Sequence, residues 1–117
     1  MMLLLVLLFT SASPPMNLDW FANEKIAGES LGAYLDCTGG GAFDRRADTR
    51  QSADVAKEIL TACENEVAAL QEALADIFRR KREFVIAGKS PDETAAFYIA
   101  EANAQLEPMV REGRKID

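Results

Sequence analysis

The chain has 117 residues, a formal net charge of −6, two cysteines and no histidine. Its length suits one small domain, and nineteen acidic against thirteen basic residues argue against a nucleic-acid partner. Because histidine is the commonest general base and metal ligand, and because two cysteines are too few for a four-thiolate zinc site or an iron–sulfur cluster, the composition favours a non-enzymatic protein with no cofactor, metal or small-molecule ligand.

The first element is an unbroken apolar run over residues 1–9, followed by small residues up to Ala12. This pattern is typical of a secretory signal peptide, and the run is shorter than the roughly 20 apolar residues that span a bilayer. No Lys or Arg precedes it, and the alternative is a buried N-terminal helix. A run without a polar face suits a small core poorly, so we expect a signal peptide at residues 1–12, a single helical domain at residues 13–117, and export to the periplasm or extracellular space.

A first helix is predicted within residues 18–37, after the Pro14-Pro15 pair. Gly28 and Gly32 lower its intrinsic helix propensity. Three successive glycines at residues 39–41 are expected to end it and to permit a tight reversal of the chain. The apolar stripe of this helix has spacings of four, three and three residues and consists of Ala27, Leu31, Tyr34 and Cys37.

The second helix is predicted over about residues 50–87, because residues 52–87 contain neither Gly nor Pro. Its apolar positions alternate between spacings of four and three, which indicates a heptad seam. Gly88 follows as the predicted C-terminal cap. The seam is interrupted only by Lys81 and consists of Ala56, Leu60, Cys63, Val67, Leu70, Leu74, Ile77, Lys81 and Phe84.

The third helix is predicted over about residues 91–112. Residues 90–93, Ser-Pro-Asp-Glu, form a capping box with proline at the first helical position. Pro108 is expected to kink or end the helix near Glu107. The short link after Gly88 makes the second and third helices an antiparallel hairpin. The apolar stripe of the third helix is Ala95, Ile99, Ala102, Leu106 and Met109.

The two cysteines lie on apolar faces of different predicted helices. Cys37 belongs to the stripe of the first helix and Cys63 to the seam of the second. In an exported protein an even pair is typical of a disulfide, whereas in a reducing compartment the two would be unrelated buried thiols. We therefore predict an all-α fold, in which a long antiparallel hairpin (about 50–87 and 91–112) is joined to a shorter N-terminal helix (about 18–37) by a Cys37–Cys63 disulfide.

The single basic cluster is Arg79, Arg80, Lys81 and Arg82. Such a band attracts anionic lipid headgroups or an acidic protein partner. Alternatively, the cluster is a solvated helix face whose charges pair with the neighbouring acids Asp76 and Glu83. Cations are in any case favourable near the C-terminus of a helix.

The remaining motifs do not indicate a phosphate-binding loop or a calcium site. The sequence Gly88-Lys89-Ser90 lacks the preceding glycine, at Glu83, and the preceding strand of a phosphate-binding loop. Asp44 and Asp48 match no calcium-loop spacing. The aromatic residues outside the strongest helices, Trp20, Phe21 and Phe43, either cover the hairpin or form an exposed recognition patch.

Three functions remain open. The first is an interaction or structural module that binds an unknown protein or a second copy of itself, because the seam of the second helix exceeds what the third helix covers. The second is a membrane-surface protein with weak contacts through the Arg79–Arg82 band. The third is a small secreted inhibitor of an enzyme.

Overall fold

The computed structural model describes residues 23–116, with side chains up to Arg114. The predicted signal peptide and the residues up to Ala22 lie outside this part. The described part is all-α, as predicted, and contains no strand. Its helices are α1 (Lys25–Asp44), α2 (Ser52–Ala62), α3 (Glu64–Arg80), α4 (Pro91–Ala104) and α5 (Leu106–Ile116), with a 3-10 turn at Arg82–Phe84.

Helix α1 runs through the three glycines, so the prediction that they end the first helix was wrong. Each glycine costs roughly 1 kcal/mol relative to alanine, and burial of Ala27, Tyr34 and Thr38 against the other helices offsets this cost. Packing explains why residue 41 is a glycine, since a Cβ atom there would lie 2.8 Å from Cγ2 of Ile59. The glycine therefore brings α1 close to α2.

The predicted second helix is divided in two at Cys63, although the seam itself is confirmed along most of its length. Near the division, the hydroxyl of Thr61 donates to the carbonyl of Lys57 at 3.0 Å. A hydroxyl that bonds four residues back tends to bend a helix. The bend lets α2 pack against α5 while α3 packs against α4. Helices of the same chain therefore cover the apolar seam. The uncovered length of seam that a straight second helix would leave is not found in the described part.

Helix α3 ends at Arg80 instead of near residue 87. Beyond it, Phe84, Val85 and Ile86 all pack against the core while half-buried. Three consecutive side chains of a helix point about 100° apart and cannot share one face. The helix therefore ends before these residues. The Ile86 amide donates a hydrogen bond to the hydroxyl of the fully buried Thr94 at 3.2 Å.

Gly88 and the capping box form the link into α4. Gly88 has φ of +82° in a turn where the Lys89 amide donates to the Ile86 carbonyl at 3.0 Å, so it shapes a turn instead of capping the helix. The predicted capping box is confirmed. The Glu93 amide donates to the Ser90 hydroxyl at 3.0 Å, and the Ser90 amide donates to the Glu93 carboxylate at 2.8 Å.

The predicted third helix is divided at Gln105, two residues before the expected position near Glu107, and Pro108 lies in the first turn of α5. Its missing N–H would have bonded to Ala104, which is the last residue of α4. Val110 is 2% exposed while Met109 is 46% exposed, so the apolar face of α5 follows a spacing of four residues after Leu106 instead of three. Met109 was therefore wrongly placed in the apolar stripe, which continues from Leu106 to Val110.

The buried side chains form two clusters. The inner core joins α1, α3 and α4, and the outer core joins α2, α5 and the C-terminal part of α1. The inner core consists of Ala27, Tyr34, Leu70, Ala73, Leu74, Ala75, Ile77, Phe78, Ala95, Tyr98 and Ile99. The outer core consists of Val55, Ala56, Ile59, Cys63, Leu106 and Val110.

Candidate functional site

The disulfide between Cys37 and Cys63 joins α1 to the bend between α2 and α3. The Cα atoms of the two residues are 6.0 Å apart, and the bond spans a sequence separation of 26. Cys63 is buried in the outer core, and the half-buried Cys37 packs against that core. The predicted pairing is confirmed, and it fixes the bend at which the two cores meet.

Glu66 adds a carboxylate beside this bond. Its oxygen and the two sulfur atoms lie within 4.8 Å of one another. Each sulfur is already bonded to the other, and a disulfide lacks the thiolate that a metal ion requires. The cluster in its oxidised form is therefore a structural crosslink.

The predicted basic cluster does not form one continuous helical face, because α3 ends inside it. Arg79 donates to Glu72 at 3.1 Å and to Asp92 at 2.6 Å. These contacts connect α3 to the start of α4. The pairing of Arg79 with these two acids leaves its charge largely neutralised at the surface.

The next two cations of the cluster contact Glu24, at the start of α1. Arg80 donates to Glu24 at 2.5 Å and to Asp76 at 3.0 Å, and the Lys81 ammonium lies 3.4 Å from Glu24. The hydrogen bond from Arg80, reinforced by Lys81, holds the pKa of Glu24 below its usual value. The predicted pairing with Asp76 is present, whereas Glu24 takes the place expected of Glu83.

A second charge network closes the turn between α1 and α2. The Arg45 Nε donates to Glu58 at 2.8 Å, and Arg50 donates to Asp48 at 2.6 Å and to Glu58 at 3.0 Å. The bonds from Arg50 lower the pKa of Asp48 to about 2. The pKa of Glu58 is also lowered, first by Arg50 and then by Arg45. In the sequence, Asp48 was considered only against the spacing of a calcium loop, and Glu58 was not among the candidate residues.

An open groove follows the line where α1 lies antiparallel to α3. Its floor consists of small side chains, chiefly Ala33, Ala69 and Ala73, and Ile26 stands beside it with 74% of its surface exposed. Its charged rim carries five acids and two bases, which are Glu24, Glu29, Glu66, Glu72, Asp76, Lys25 and Arg80. The signal in the sequence was a second stripe at spacings of four and three, Ile26, Ser30 and Ala33, which sequence reasoning missed because two of its members are small.

Helix α1 also carries apolar side chains away from this groove. Leu35 is 52% exposed and Phe43 is 64% exposed. The guanidinium of Arg46 lies 4.1 Å above the Phe43 ring, which is a cation–π contact. Of the three aromatic residues for which a recognition patch was considered, Phe43 is at the surface, and Trp20 and Phe21 lie outside the described residues.

No protein-family model, curated protein or solved structure matches the chain. Within residues 23–116, no helix is both long enough and apolar enough to cross a membrane. A functional assignment therefore has to come from the surfaces and crosslink described above.

Proposed function

We propose that the protein is a non-enzymatic interaction module that works in the periplasm or extracellular space. The Cys37–Cys63 disulfide supports the compartment, because such bonds persist in oxidising environments and are rare in the cytosol. The absence of histidine and the pairing of the charged clusters support a binding role over catalysis.

One observation carries the binding role. Of the four large apolar side chains exposed in the described part, three lie on α1, namely Ile26, Leu35 and Phe43. Ile26 lies beside the α1–α3 groove, whereas Leu35 and Phe43 lie on another side of α1, about two helical turns apart. Neither of these two side chains is on the side that packs against the core through Ala27 and Tyr34, and exposed apolar side chains near each other support a protein-contact surface. We assign the part of α1 that carries Leu35 and Phe43 as the partner surface.

The membrane-surface alternative has less support. Arg79, Arg80 and Lys81 each contact at least one carboxylate, and an anionic membrane would have to displace those contacts. An inhibitor is a special case of the proposed role, in which the partner is an enzyme.

Photo-crosslinking in exporting cells tests the partner surface. A photoreactive amino acid is placed at Leu35 or Phe43, and at Met109 on α5 as a control of similar exposure. We expect a discrete crosslinked product, with another protein or with a second copy, from the two α1 positions and not from Met109. Equal labelling at all three positions, or none at Leu35 and Phe43, would overturn the assignment.

Export has a separate test. Intact mass spectrometry of the unreduced protein from a periplasmic or medium fraction should show a chain that begins at Ser13 and is two hydrogens lighter than its reduced form. Two free thiols, or recovery only from the cytosol, would contradict the proposed compartment.

A further inference from the structure

We propose that Cys37, Cys63 and Glu66 form a redox-controlled site for Zn²⁺ or a similar thiophilic divalent cation. In the oxidised protein the two sulfur atoms are bonded to each other, and a disulfide does not bind such an ion. Reduction by a dithiol converts the crosslink into a binding site. The site is separate from the partner surface at Leu35 and Phe43, so it stands independently of the proposed function.

The three side chains already lie close enough together to share one ion. A carboxylate oxygen of Glu66 and the two sulfur atoms all lie within 4.8 Å of one another, and the Cα atoms of the two cysteines are 6.0 Å apart. In a tetrahedral zinc site with Zn–S bonds of about 2.3 Å, two sulfur atoms lie about 3.8 Å from each other. After reduction, rotations of the side chains therefore bring all three ligands to one cation.

Two of the ligands lie at the start of α3. Cys63 is the N-cap residue of this helix and Glu66 follows three positions later, a spacing that places both side chains on one face of the helix. The partial positive charge of a helix N-terminus favours a thiolate, which is the form of cysteine that binds metal ions. Because Cys37 belongs to α1, the bound cation replaces the covalent link between α1 and the bend with a coordinated one.

Glu66 differs from the carboxylates of the two charge networks. Glu24 and Glu58 contact arginine side chains, whereas Glu66 makes no side-chain hydrogen bond or ion pair with another residue of the described part. The residue is half-buried, and a half-buried carboxylate without a partner favours a nearby cation. Thiolate ligands select Zn²⁺ over Ca²⁺ and Mg²⁺, which prefer oxygen ligands throughout.

The exchange of the crosslink for a cation balances in electrons and protons. A dithiol transfers two electrons and two protons to the Cys37–Cys63 bond and is oxidised to its own disulfide. The two thiols then release two protons as Zn²⁺ binds, Glu66 is the third ligand, and a water molecule takes the fourth position of the tetrahedron. In the reverse direction a disulfide oxidant accepts two electrons from the thiolates and two protons from water, the Cys37–Cys63 bond forms again, and the ion is released.

Metal titration of the full chain tests the site. The protein is reduced with a dithiol, separated from it under nitrogen and titrated with Cd²⁺, whose bonds to thiolates absorb in the ultraviolet. Zn²⁺ is then added as a competitor, and native mass spectrometry counts the bound ions. We expect one ion per reduced chain and none per disulfide-bonded chain.

Two variants of α3 separate the role of Glu66 from that of the thiols. Glu66→Gln should weaken the affinity by about tenfold or more, because both thiolates remain but the third ligand loses its charge. Glu64→Gln is the matched control, since it removes the same charge from an exposed residue in the first turn of α3 and should leave the affinity unchanged.

Circular dichroism and thermal unfolding separate loss of the site from loss of the fold. If the reduced chain loses helix without a cation, Zn²⁺ should restore it, because metal binding and folding are coupled. The melting temperature of the reduced wild type should rise with Zn²⁺, and that of Glu66→Gln should rise much less. The proposal would be overturned by a reduced chain that binds no ion, by equal binding to the disulfide-bonded chain, or by equal affinities of the wild type and Glu66→Gln, which would mean that the thiols alone bind the ion.

Discussion

The inner core and the outer core are stabilised by different means. The inner core contains eleven buried residues, and the rings of Phe78 and Tyr98 stack in it at 5.8 Å while Phe97 meets Tyr98 edge-on at 5.6 Å. The hydroxyl of Tyr34 extends this packing by donating to Asn103 at 2.9 Å. The inner core therefore gains its stability from aromatic burial across three helices.

The outer core has six buried residues and no aromatic ring among them. The disulfide and the network of Arg45, Arg50, Asp48 and Glu58 surround it. Regions with few apolar contacts open at a lower free-energy cost than the rest of a protein. In this small domain, a covalent bond therefore occurs beside the core whose apolar packing is weaker.

The largest effect is expected from the inner core. Phe78 is fully buried, and truncation of such a ring to alanine costs about 3–5 kcal/mol through lost burial and a residual cavity. Ile59→Ala, at the fully buried centre of the outer core, should cost less, because fewer side chains surround it. Urea unfolding of both variants measures the two free energies. A loss at Phe78 no larger than that at Ile59 would contradict the comparison.

Removal of the disulfide comes next. In the chain-entropy account, a loop of 26 residues contributes about 3.5 kcal/mol to the free energy of unfolding. The double variant Cys37→Ala with Cys63→Ala should lose a similar amount. Hydrogen exchange should show the loss unevenly, with amides of α2 and α5 losing more protection than those of α3 and α4. Uniform loss along the chain would mean that the two cores open as one unit.

At the contact between α1 and α2, substitution of two neighbouring glycines should change the stability by smaller amounts and in opposite directions. Gly41→Ala forces a methyl group against Ile59 and should destabilise the protein by about 1–3 kcal/mol. Gly40 has open space around it, so Gly40→Ala should stabilise the helix by up to about 1 kcal/mol. Thermal unfolding measures both. Equal signs for the two variants would show that Gly41 has no packing role.

The smallest effect is that of pH on the network beside the outer core. The pKa of Asp48 is about 2 in the folded protein and 3.8 in an unperturbed carboxyl group. Its contribution is therefore present above about pH 4 and is lost as the pH falls towards 2. As the pH falls through this window, the free energy of unfolding of the wild type should decrease more steeply than that of Asp48→Asn or Arg50→Gln. Identical pH profiles would exclude the pair as the cause.

The sequence predicted those features that depend on regular spacing. The heptad seam, the stripe of α1 and the Ser90–Glu93 capping box were all recognisable, because each depends on residues a few positions apart. The cysteine pair followed from the same periodicity, since Cys37 and Cys63 each lay on an apolar face. The fold class and the crosslink were therefore accessible without coordinates.

The failures have a common physical cause, which is packing between distant segments. The helix that contains Gly41 packs closely against Ile59 of α2, and Met109 lies on the exposed side of α5 while Val110 is buried. The α1–α3 groove was not anticipated, because its floor is made of alanines that give no strong pattern. The link between Arg50 and Glu58 depends on how the turn closes, which local propensity does not specify.

The disulfide also determines how the protein responds to a protease. The turn after α1 presents Arg45 and Arg46 close to the surface, between Cys37 and Cys63. A cut after either arginine leaves one cysteine on each fragment, so the nicked chain remains a single covalent molecule until a reductant is added. Cleavage there would be invisible on a non-reducing gel, and the protein can retain both halves of its helical surface after its backbone has been broken.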